Sequence, residues 1–241
     1  MMVVGSVEAS RANRNHRVLP NGAGFWRSEL VTIEGGPQSF LVEQDPHTVV
    51  LPHFHLEDEF QVVVGGTGSL GRHALRPGFV HFAGRHTGYG PLEAGDAGLA
   101  YLTLRAVLDV GAHFLPEARE NMRPGRRRNL FGCCVDLPSG DGPRIGESRN
   151  DCVVVCQPDG VGAWFVAVAP GESLRLPDPM GCDRFLLIVR GALGWEGCEA
   201  GTLSTIFVSR QEHSFRPGVG PQGVAVLALH FPRTTGDASA A

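Results

Sequence analysis

The stretch from Leu51 to Gly66, LPHFHLEDEFQVVVGG, constrains this chain more than any other part of it. Successive side chains of a β-strand point to opposite faces, so His53 and His55 would share one face. Glu59 follows after three intervening residues. Two imidazoles and a nearby carboxylate form a ligand set that suits a divalent transition metal. The stretch therefore predicts a metal site carried by strands of a sheet.

A fourth ligand is offered by the segment PGFVHFAGRH, which ends at His86. His-x-His, three residues, Glu, six residues and Gly is the pattern of the first cupin motif, and Gly84-x-His86 resembles the second. The resemblance covers about residues 45 to 105 and implies a small β-barrel with a metal inside. The implied metal ligands are His53, His55, Glu59 and His86. Iron is the expected metal, with manganese, nickel, zinc or copper as alternatives.

Composition excludes several classes of function. The 241 residues carry a net charge of −4, which gives no reason to expect a nucleic-acid partner. All 21 basic residues are arginine, so Schiff-base chemistry on lysine is excluded. The start of the chain lacks the order of a signal peptide, and no apolar run has the length of a transmembrane helix. Six cysteines without a CxxC pair indicate reduced thiols, and we expect a cytoplasmic protein without a membrane partner.

The remaining pattern predicts an all-β chain made of two barrels. The 33 glycines and 17 prolines separate many short apolar runs, as in sandwiches and barrels. Gly65-Gly66-Thr67-Gly68 predicts a hairpin turn. A shift of 125 residues places Phe60 on Phe185 and Gly66 on Gly191, but Glu59 falls on Arg184. The resemblance then implies two antiparallel cupin barrels of the jelly-roll type, the second degenerate, with His213 near the place of His86.

The domain boundaries follow from these changes in pattern. Residues 1–17 are predicted to be an N-terminal arm, and residues 233–241 a disordered tail. The metal-binding barrel is predicted over 18–110 and the degenerate barrel over 151–232. Residues 111–150 are rich in Pro, Gly and Arg and lose apolar periodicity, which predicts an interdomain linker. We expect the second barrel to serve packing or dimerisation, so a homodimer is among the expected assemblies.

Other polar residues of the motif region are candidates for contact with a small-molecule substrate. Gln61 shares the face of Glu59 by alternation and could hold a metal-bound water or a substrate. His81 precedes His86, and the only two tyrosines of the chain flank the region. The candidate catalytic residues are Gln61, His81, Tyr89 and Tyr101.

Three classes of function remain open from the sequence. The first hypothesis is a metal-dependent, iron-type dioxygenase, an oxidoreductase in which the metal has open positions for substrate and dioxygen. The second is a non-redox metal enzyme, an isomerase, lyase or hydrolase, in which Glu59 or Gln61 handles protons. The third is a cupin that binds a small molecule without turnover.

Overall fold

The structure is a computed structural model that describes residues 1–134, 145–177, 182–212 and 215–233. The predicted all-β class is confirmed, because the helical segments in these ranges are one short helix, α1 (Val7–Ser10), and the 3-10 turns Arg11–Asn13 and Glu117–Asn121. No helix in the described ranges has the length and apolarity needed to span a membrane. The strands are, in chain order, β1 (Met2–Ser6), β2 (Asn15–Val18), β3 (Gly24–Thr32), β4 (Gln38–Gln44), β5 (Val49–Val50), β6 (His53–Phe54), β7 (Glu59–Leu70), β8 (His73–Leu75), β9 (Phe79–Ala83), β10 (Leu92–Arg105), β11 (His113–Phe114), β12 (Asn129–Cys133), β13 (Arg149–Val154), β14 (Gly162–Val168), β15 (Arg184–Trp195), β16 (Cys198–Ala200), β17 (Ser204–Val208) and β18 (Gly218–His230).

The first unit, the described residues from 7 to 134, is built on one antiparallel sheet. Its strands lie in the order β12-β9-β7-β10-β4-β3-β2, with β5 paired to β10 and β8 to β7. A separate pair, β6 with β11, carries the His-x-His motif. Phe40, Val63 and Phe79 are buried in one apolar cluster, because alternate residues of these strands face the interior. The unit therefore has its own apolar core beside the polar motif.

The second unit combines residues 1–6 with the described residues from 145 onwards. Its sheet order is β1-β17-β15-β18-β14-β13, with β16 paired to β15. The N-terminal strand β1 thus pairs with β17 in register from Met2 against Val208 to Ser6 against Ser204. In the first unit, β12 pairs with β9 in the corresponding way. Each sheet therefore has an edge strand, β1 or β12, that comes from a segment predicted to be an arm or a linker without strands.

The predicted internal repeat is confirmed by the strands themselves. β15 lies 125 positions after β7, and β17 lies 125 positions after β9, with the same lengths. The two units differ in what faces the interior. The second-unit counterparts of Gln61, His81, Tyr101 and Thr103 are the buried aliphatic residues Leu186, Ile206, Val226 and Ala228. The second barrel is packed with hydrocarbon where the first is polar, as expected of a degenerate copy.

The predicted hairpin turn at Gly65–Gly68 is wrong. Strand β7 continues through these glycines to Leu70, with irregular register against β10. Gly66 has φ 68°, and a Cβ there would lie 2.1 Å from the Gly98 carbonyl oxygen. Gly191 repeats the arrangement, with φ 75° and the Gly223 oxygen at 2.1 Å. These glycines allow close backbone approach within a bent strand, because only glycine combines that φ with no side chain.

Two of the predicted boundaries are also corrected. Residues 1–17 are not a free arm, because they contain β1 and most of β2. Residues 111–150 are not a linker throughout, because β11 and β12 belong to the first sheet system and β13 begins at Arg149. Sequence periodicity missed these strands because they are short and their residues are mostly half-buried on both faces, which leaves no clear alternation. Residues 135–144 of the predicted linker, His213 and residues 234–241 of the predicted tail lie outside the described residues.

Candidate active site in the first barrel

His53 and Tyr89 form the first half of the polar cluster. Their backbones pair through two hydrogen bonds of 3.0 Å, from each amide to the other residue's carbonyl. The His53 Nδ1 lies 2.7 Å from the Leu51 carbonyl oxygen, so Nδ1 carries the proton and Nε2 faces inward. That Nε2 lies 2.9 Å from the Tyr89 hydroxyl. Backbone pairing therefore fixes both rings, although they lie 36 residues apart.

Glu59 and Arg105 form the second half. Glu59 begins β7 and Arg105 ends β10, and both are buried. Arg105 donates from Nη2 and Nε to the same Glu59 oxygen, Oε2, at 2.7 and 3.1 Å. The other oxygen, Oε1, accepts a short hydrogen bond from the Tyr89 hydroxyl. Burial raises the pKa of Glu59, but the neighbouring His55 and Arg105 outweigh it and hold the pKa at about 2.

His55 is oriented by a buried carboxylate, Asp109. The His55 Nδ1 lies 2.9 Å from Asp109 Oδ1, and Asp109 Oδ2 accepts from the Leu56 amide at 2.9 Å. Arg105 Nη2 lies 3.2 Å from the His55 Nε2. Burial raises the pKa of Asp109, but the hydrogen bond and charge of His55 lower it well below its usual range. Asp109 is thus an ionised anchor for the imidazole and for the loop after His55.

Gln61 and His81 extend the cluster behind Tyr89. The Gln61 amide donates to the Tyr89 hydroxyl at 3.3 Å, and its oxygen lies 3.0 Å from the His81 Nδ1. The His81 Nε2 lies 2.9 Å from the Asn129 side-chain oxygen on β12. The predicted shared face of Glu59 and Gln61 is confirmed, since both line the same cavity. Hydrogen bonds connect His81 to the Tyr89 hydroxyl through Gln61, because its two ring nitrogens face Gln61 and Asn129.

A cavity of about 260 Å³ opens onto this cluster. Glu59, Gln61 and Tyr89 line its polar end, and Tyr101 also reaches it. Its apolar walls are formed by Val18, Leu19, Phe25, Phe40, Val42, Val50 and Phe114. Concave sites with apolar walls and a few convergent polar groups are typical of small-molecule binding. The volume lies below the roughly 300 to 1,000 Å³ of drug-sized sites, so this cavity has room only for a small molecule.

The structure does not place His86 with the other predicted ligands. His86 has φ 56° and its ring lies 5.9 Å from that of Phe54, which alternates with His53 and His55 and points to the opposite side. It lines a separate, polar cavity of about 800 Å³ together with Arg85 and His113. Grouping His86 with the motif was wrong because Gly84 and the left-handed turn after it redirect the chain. His81, still inside β9, is the histidine that faces the cluster.

Arg105 and Asp109 were missed from the sequence. A signal for Arg105 was present, because Tyr101, Thr103 and Arg105 alternate along one strand and share a face. All three line the cavity. No local signal marks Asp109, which follows the strand in a loop. Its role depends on a contact with His55, 54 residues away.

The donor atoms of the cluster show whether a divalent metal fits among them. His53 and His55 give their Nδ1 atoms to an oxygen and turn Nε2 inward, as metal-bound histidines do. The space between those Nε2 atoms and Glu59, however, holds the Tyr89 hydroxyl and the Arg105 guanidinium. Within the described residues, no three His, Cys, Asp or Glu side chains are arranged to hold a metal ion. The predicted ligand set does not fit a metal in this arrangement.

The protonation of the cluster follows from burial. Burial lowers the pKa of His53 to about 4, and the neighbouring His55 adds to the effect. Burial also lowers the pKa of His81 to about 4, although the hydrogen bond to the Asn129 side-chain oxygen acts in the opposite direction. Burial and the Glu59 charge raise the pKa of Tyr89 well above its ordinary value. At neutral pH the cluster therefore holds two neutral imidazoles, a neutral phenol and an ionised Glu59.

Replacing Tyr89 with Phe is expected to destabilise the first barrel by about 1 to 3 kcal/mol. The change leaves Glu59 Oε1 without its donor and removes a partner of Gln61. Tyr101→Phe is the matched control, because the Tyr101 hydroxyl makes no hydrogen bond within the described residues although its ring is buried. Amide exchange of β7 peptides measures both. Equal losses in the two variants would contradict the assigned role of the Tyr89 hydroxyl.

Comparisons with known proteins address the fold. The sequence matches no protein-family model and no curated protein. Among solved structures, a candidate dioxygenase from Nostoc punctiforme is 13% identical, with a TM-score of 0.67 over 98% of this chain and 85% of that one. Oxalate decarboxylase from Bacillus subtilis, in a study of its Mn(II) centres, is 12% identical, with a TM-score of 0.56 over 98% of this chain and 78% of that one. A pirin from Escherichia coli in complex with nickel(II) is 11% identical, with a TM-score of 0.57 over 97% of this chain and 100% of that one.

Identities this low report on architecture and not on chemistry. The architecture agrees with the all-β pattern, the repeat and the His-x-His motif. Two antiparallel barrels in one chain give this chain the same overall fold as these three solved structures, in agreement with the fold that the cupin resemblance implies.

Proposed function

We propose that the first barrel binds a small organic anion in its cavity and catalyses a proton transfer on it. This corresponds to the isomerase, lyase or hydrolase class, without a metal as the acid. The observation that carries the proposal is the convergence of Glu59, His53 and Gln61 on one hydroxyl, that of Tyr89, at the wall of the cavity. Such an arrangement couples a bound molecule to a chain of proton donors and acceptors.

The charges around the cavity favour an anion. Glu59 is matched by Arg105, which leaves Arg17 and Arg27 as the other charged groups in the lining. Both share a single carboxylate, Glu29, at 4.0 and 2.5 Å. The Arg27 guanidinium lies 3.5 Å from the centre of the Phe40 ring, which holds it flat at the wall. An arginine fixed in this way presents donors that match a carboxylate.

The positions of the protons in the cluster suggest a role for each of its side chains in the proposed proton transfer. The Tyr89 hydroxyl has one proton and gives it to Glu59 Oε1, so the lone pair of the neutral His53 Nε2 faces the phenol oxygen without a proton. The Tyr89 hydroxyl turns from Glu59 Oε1 to His53 Nε2, and a proton leaving the substrate passes to the Tyr89 oxygen as the hydroxyl proton moves to His53 Nε2. His53 becomes an imidazolium, and the electron pair of the broken bond stays on the substrate. Arg105 keeps Glu59 ionised beside it, which stabilises that imidazolium.

Binding is tested with small carboxylates of different shape: acetate, oxalate and benzoate. Isothermal titration of the wild-type protein should show saturable binding of at least one of them. Arg27→Gln should weaken it by about tenfold or more, the scale of one lost charged hydrogen bond. Arg14→Gln is the control, since Arg14 pairs with Glu43 on the exposed surface. Equal affinity in wild type and Arg27→Gln would contradict the assignment of the anion site.

Turnover is tested by deuterium exchange into acetate, which unlike oxalate and benzoate carries hydrogen on the carbon beside its carboxylate, followed by nuclear magnetic resonance. We expect exchange at the carbon beside the carboxylate, and a loss of about 100- to 10,000-fold in Tyr89→Phe, the range for a positioned acid or base. Binding without exchange in the wild-type protein would instead support a cupin that binds its ligand without turnover.

A metal-dependent dioxygenase is the second candidate. It is favoured by the likeness of the whole chain to the candidate dioxygenase from Nostoc punctiforme and by the inward-facing Nε2 atoms of His53 and His55. Its site would need Tyr89 and Arg105 to leave their present positions. Oxygen consumption by protein loaded with iron(II), with catechols and diketones as trial substrates, tests this candidate.

A further inference from the structure

We propose that Arg105 and Tyr89 take the place that a metal ion would hold among His53, His55 and Glu59, so that the first barrel keeps its site assembled without a metal. This inference concerns what holds the cluster together and does not depend on the reaction proposed above.

The Arg105 guanidinium supplies the positive charge. The His55 Nε2 and Glu59 Oε2 lie 3.9 Å apart, and Arg105 Nη2 lies 3.2 and 2.7 Å from these same two atoms. Metal–ligand bonds to histidine and carboxylate are about 2.0 to 2.2 Å long, so a metal bound to both atoms would lie within roughly 3 Å of that nitrogen. Two cations so close repel strongly in a buried site. The guanidinium and a metal therefore exclude each other.

The Tyr89 hydroxyl fills the other side of the cluster. Its oxygen contacts Glu59 Oε1, His53 Nε2 and the Gln61 amide nitrogen. Both oxygens of Glu59 and the inward nitrogens of both motif histidines are thus engaged by side chains of the chain itself. The Tyr89 proton and the guanidinium satisfy the two oxygens of Glu59, and the Tyr89 oxygen occupies the space in front of the His53 Nε2 that a metal would need.

Arg105 is also held from its far side. Its Nη1 donates to Gln38 Oε1 at 2.8 Å and lies 3.8 Å from Asp109 Oδ1. Only 2% of Arg105 is exposed. Moving the side chain out to admit a metal would break these contacts as well as the pair with Glu59. The Arg105 side chain is therefore an integral part of the barrel interior and not a side chain from the rim that has turned inward.

The first test measures metal binding by the wild-type protein. Metal analysis of the purified chain should find far less than one equivalent of manganese, iron, nickel, copper or zinc. The melting temperature should be unchanged by EDTA and by added Mn(II), Ni(II) or Zn(II), since a ligand that binds only the folded state raises it. One equivalent of metal in the wild-type protein, with a lower melting temperature after EDTA, would overturn the proposal.

A double variant tests whether these two side chains are the cause. Arg105→Ala with Tyr89→Phe leaves His53, His55 and Glu59 in place and removes both occupants. Its melting temperature should rise on addition of Ni(II) or Zn(II), whereas that of the wild type does not. Tyr101→Phe with Arg14→Ala is the matched control and should show no metal-dependent rise. A folded double variant that also fails to respond would overturn the proposal, and the metal content of the wild type remains decisive if the variant does not fold.

Discussion

Arg105→Gln is expected to lower the free energy of unfolding of the first barrel by about 3 to 5 kcal/mol. The substitution removes the cation from a buried ion pair and leaves the Glu59 carboxylate unpaired in the interior. Amide hydrogen exchange of β7 and β10 peptides is the measurement of choice. It reports on one unit of the chain, whereas denaturant unfolding of a chain with two units need not be two-state.

Two further variants separate the buried pair from ordinary surface charge. Arg14→Gln breaks an exposed pair with Glu43 and should cost less than about 1 kcal/mol. Adding Glu59→Gln to Arg105→Gln removes the unpaired charge, so the double variant should recover part of the loss. If Arg105→Gln cost no more than Arg14→Gln, Arg105 would not be the buried partner of Glu59.

Lowering the pH from 7 to 4 is expected to destabilise the first barrel by several kcal/mol. The pKa values of His53 and His81 are about 4 in the folded protein, against about 6.5 for a histidine in an unfolded chain. The unfolded chain therefore takes up protons first as the pH falls, and stability is lost between about pH 6.5 and 4. The difference corresponds to about 3 kcal/mol for each histidine. Below about pH 4.5, Glu59 adds a further loss, because its stabilisation disappears as the pH approaches 2.

Equilibrium exchange of β7 and β9 peptides at a series of pH values checks this dependence. His81→Asn should flatten the dependence to about half, because one of the two depressed histidines is gone. His47→Asn is the control and should follow the wild type, since His47 is an exposed loop residue whose positive φ asparagine tolerates. A first barrel equally stable at pH 7 and pH 4 would contradict the burial of two neutral imidazoles.

Local pattern was enough to predict which neighbouring strand residues share a face and that the architecture repeats. Alternation along a strand predicted that Glu59 and Gln61 share a face, and the structure confirms it. The 125-residue offset predicted two copies of one architecture, and the equal lengths of β7 and β15 confirm that as well. Both inferences concern residues close in sequence or a repeat of such residues, where periodicity carries the information.

Contacts between distant strands could not be read from the pattern. Arg105 reaches Glu59 from 46 residues away, and Tyr89 meets His53 through an isolated backbone bridge. His86 was misassigned because a left-handed residue reverses the direction of a side chain, and spacing alone cannot show that. The strand β1 pairs with β17 across most of the chain length, so an N-terminal segment that looks free is part of the second sheet.

The two barrels differ in the residues that face their interiors. The repeat preserves the strands and the tight glycine contacts, while the inward polar positions change to aliphatic ones. Arg105 is followed 125 positions later by His230, which is buried against Trp164 with ring centres 4.9 Å apart. A polar cluster costs stability unless every member is satisfied. Among the residues that the structure describes, such a cluster lies in the first barrel, which is where we propose that a ligand binds.

Isothermal titration of a small carboxylate into the wild-type protein, before and after exhaustive treatment with EDTA, tests the central claim most directly. The account predicts saturable binding with the same dissociation constant in both samples, because Arg27 and the Tyr89 cluster supply the site. Binding that is lost with EDTA and restored by a divalent metal would contradict the metal-free cluster, and absence of binding in both samples would contradict the anion site itself.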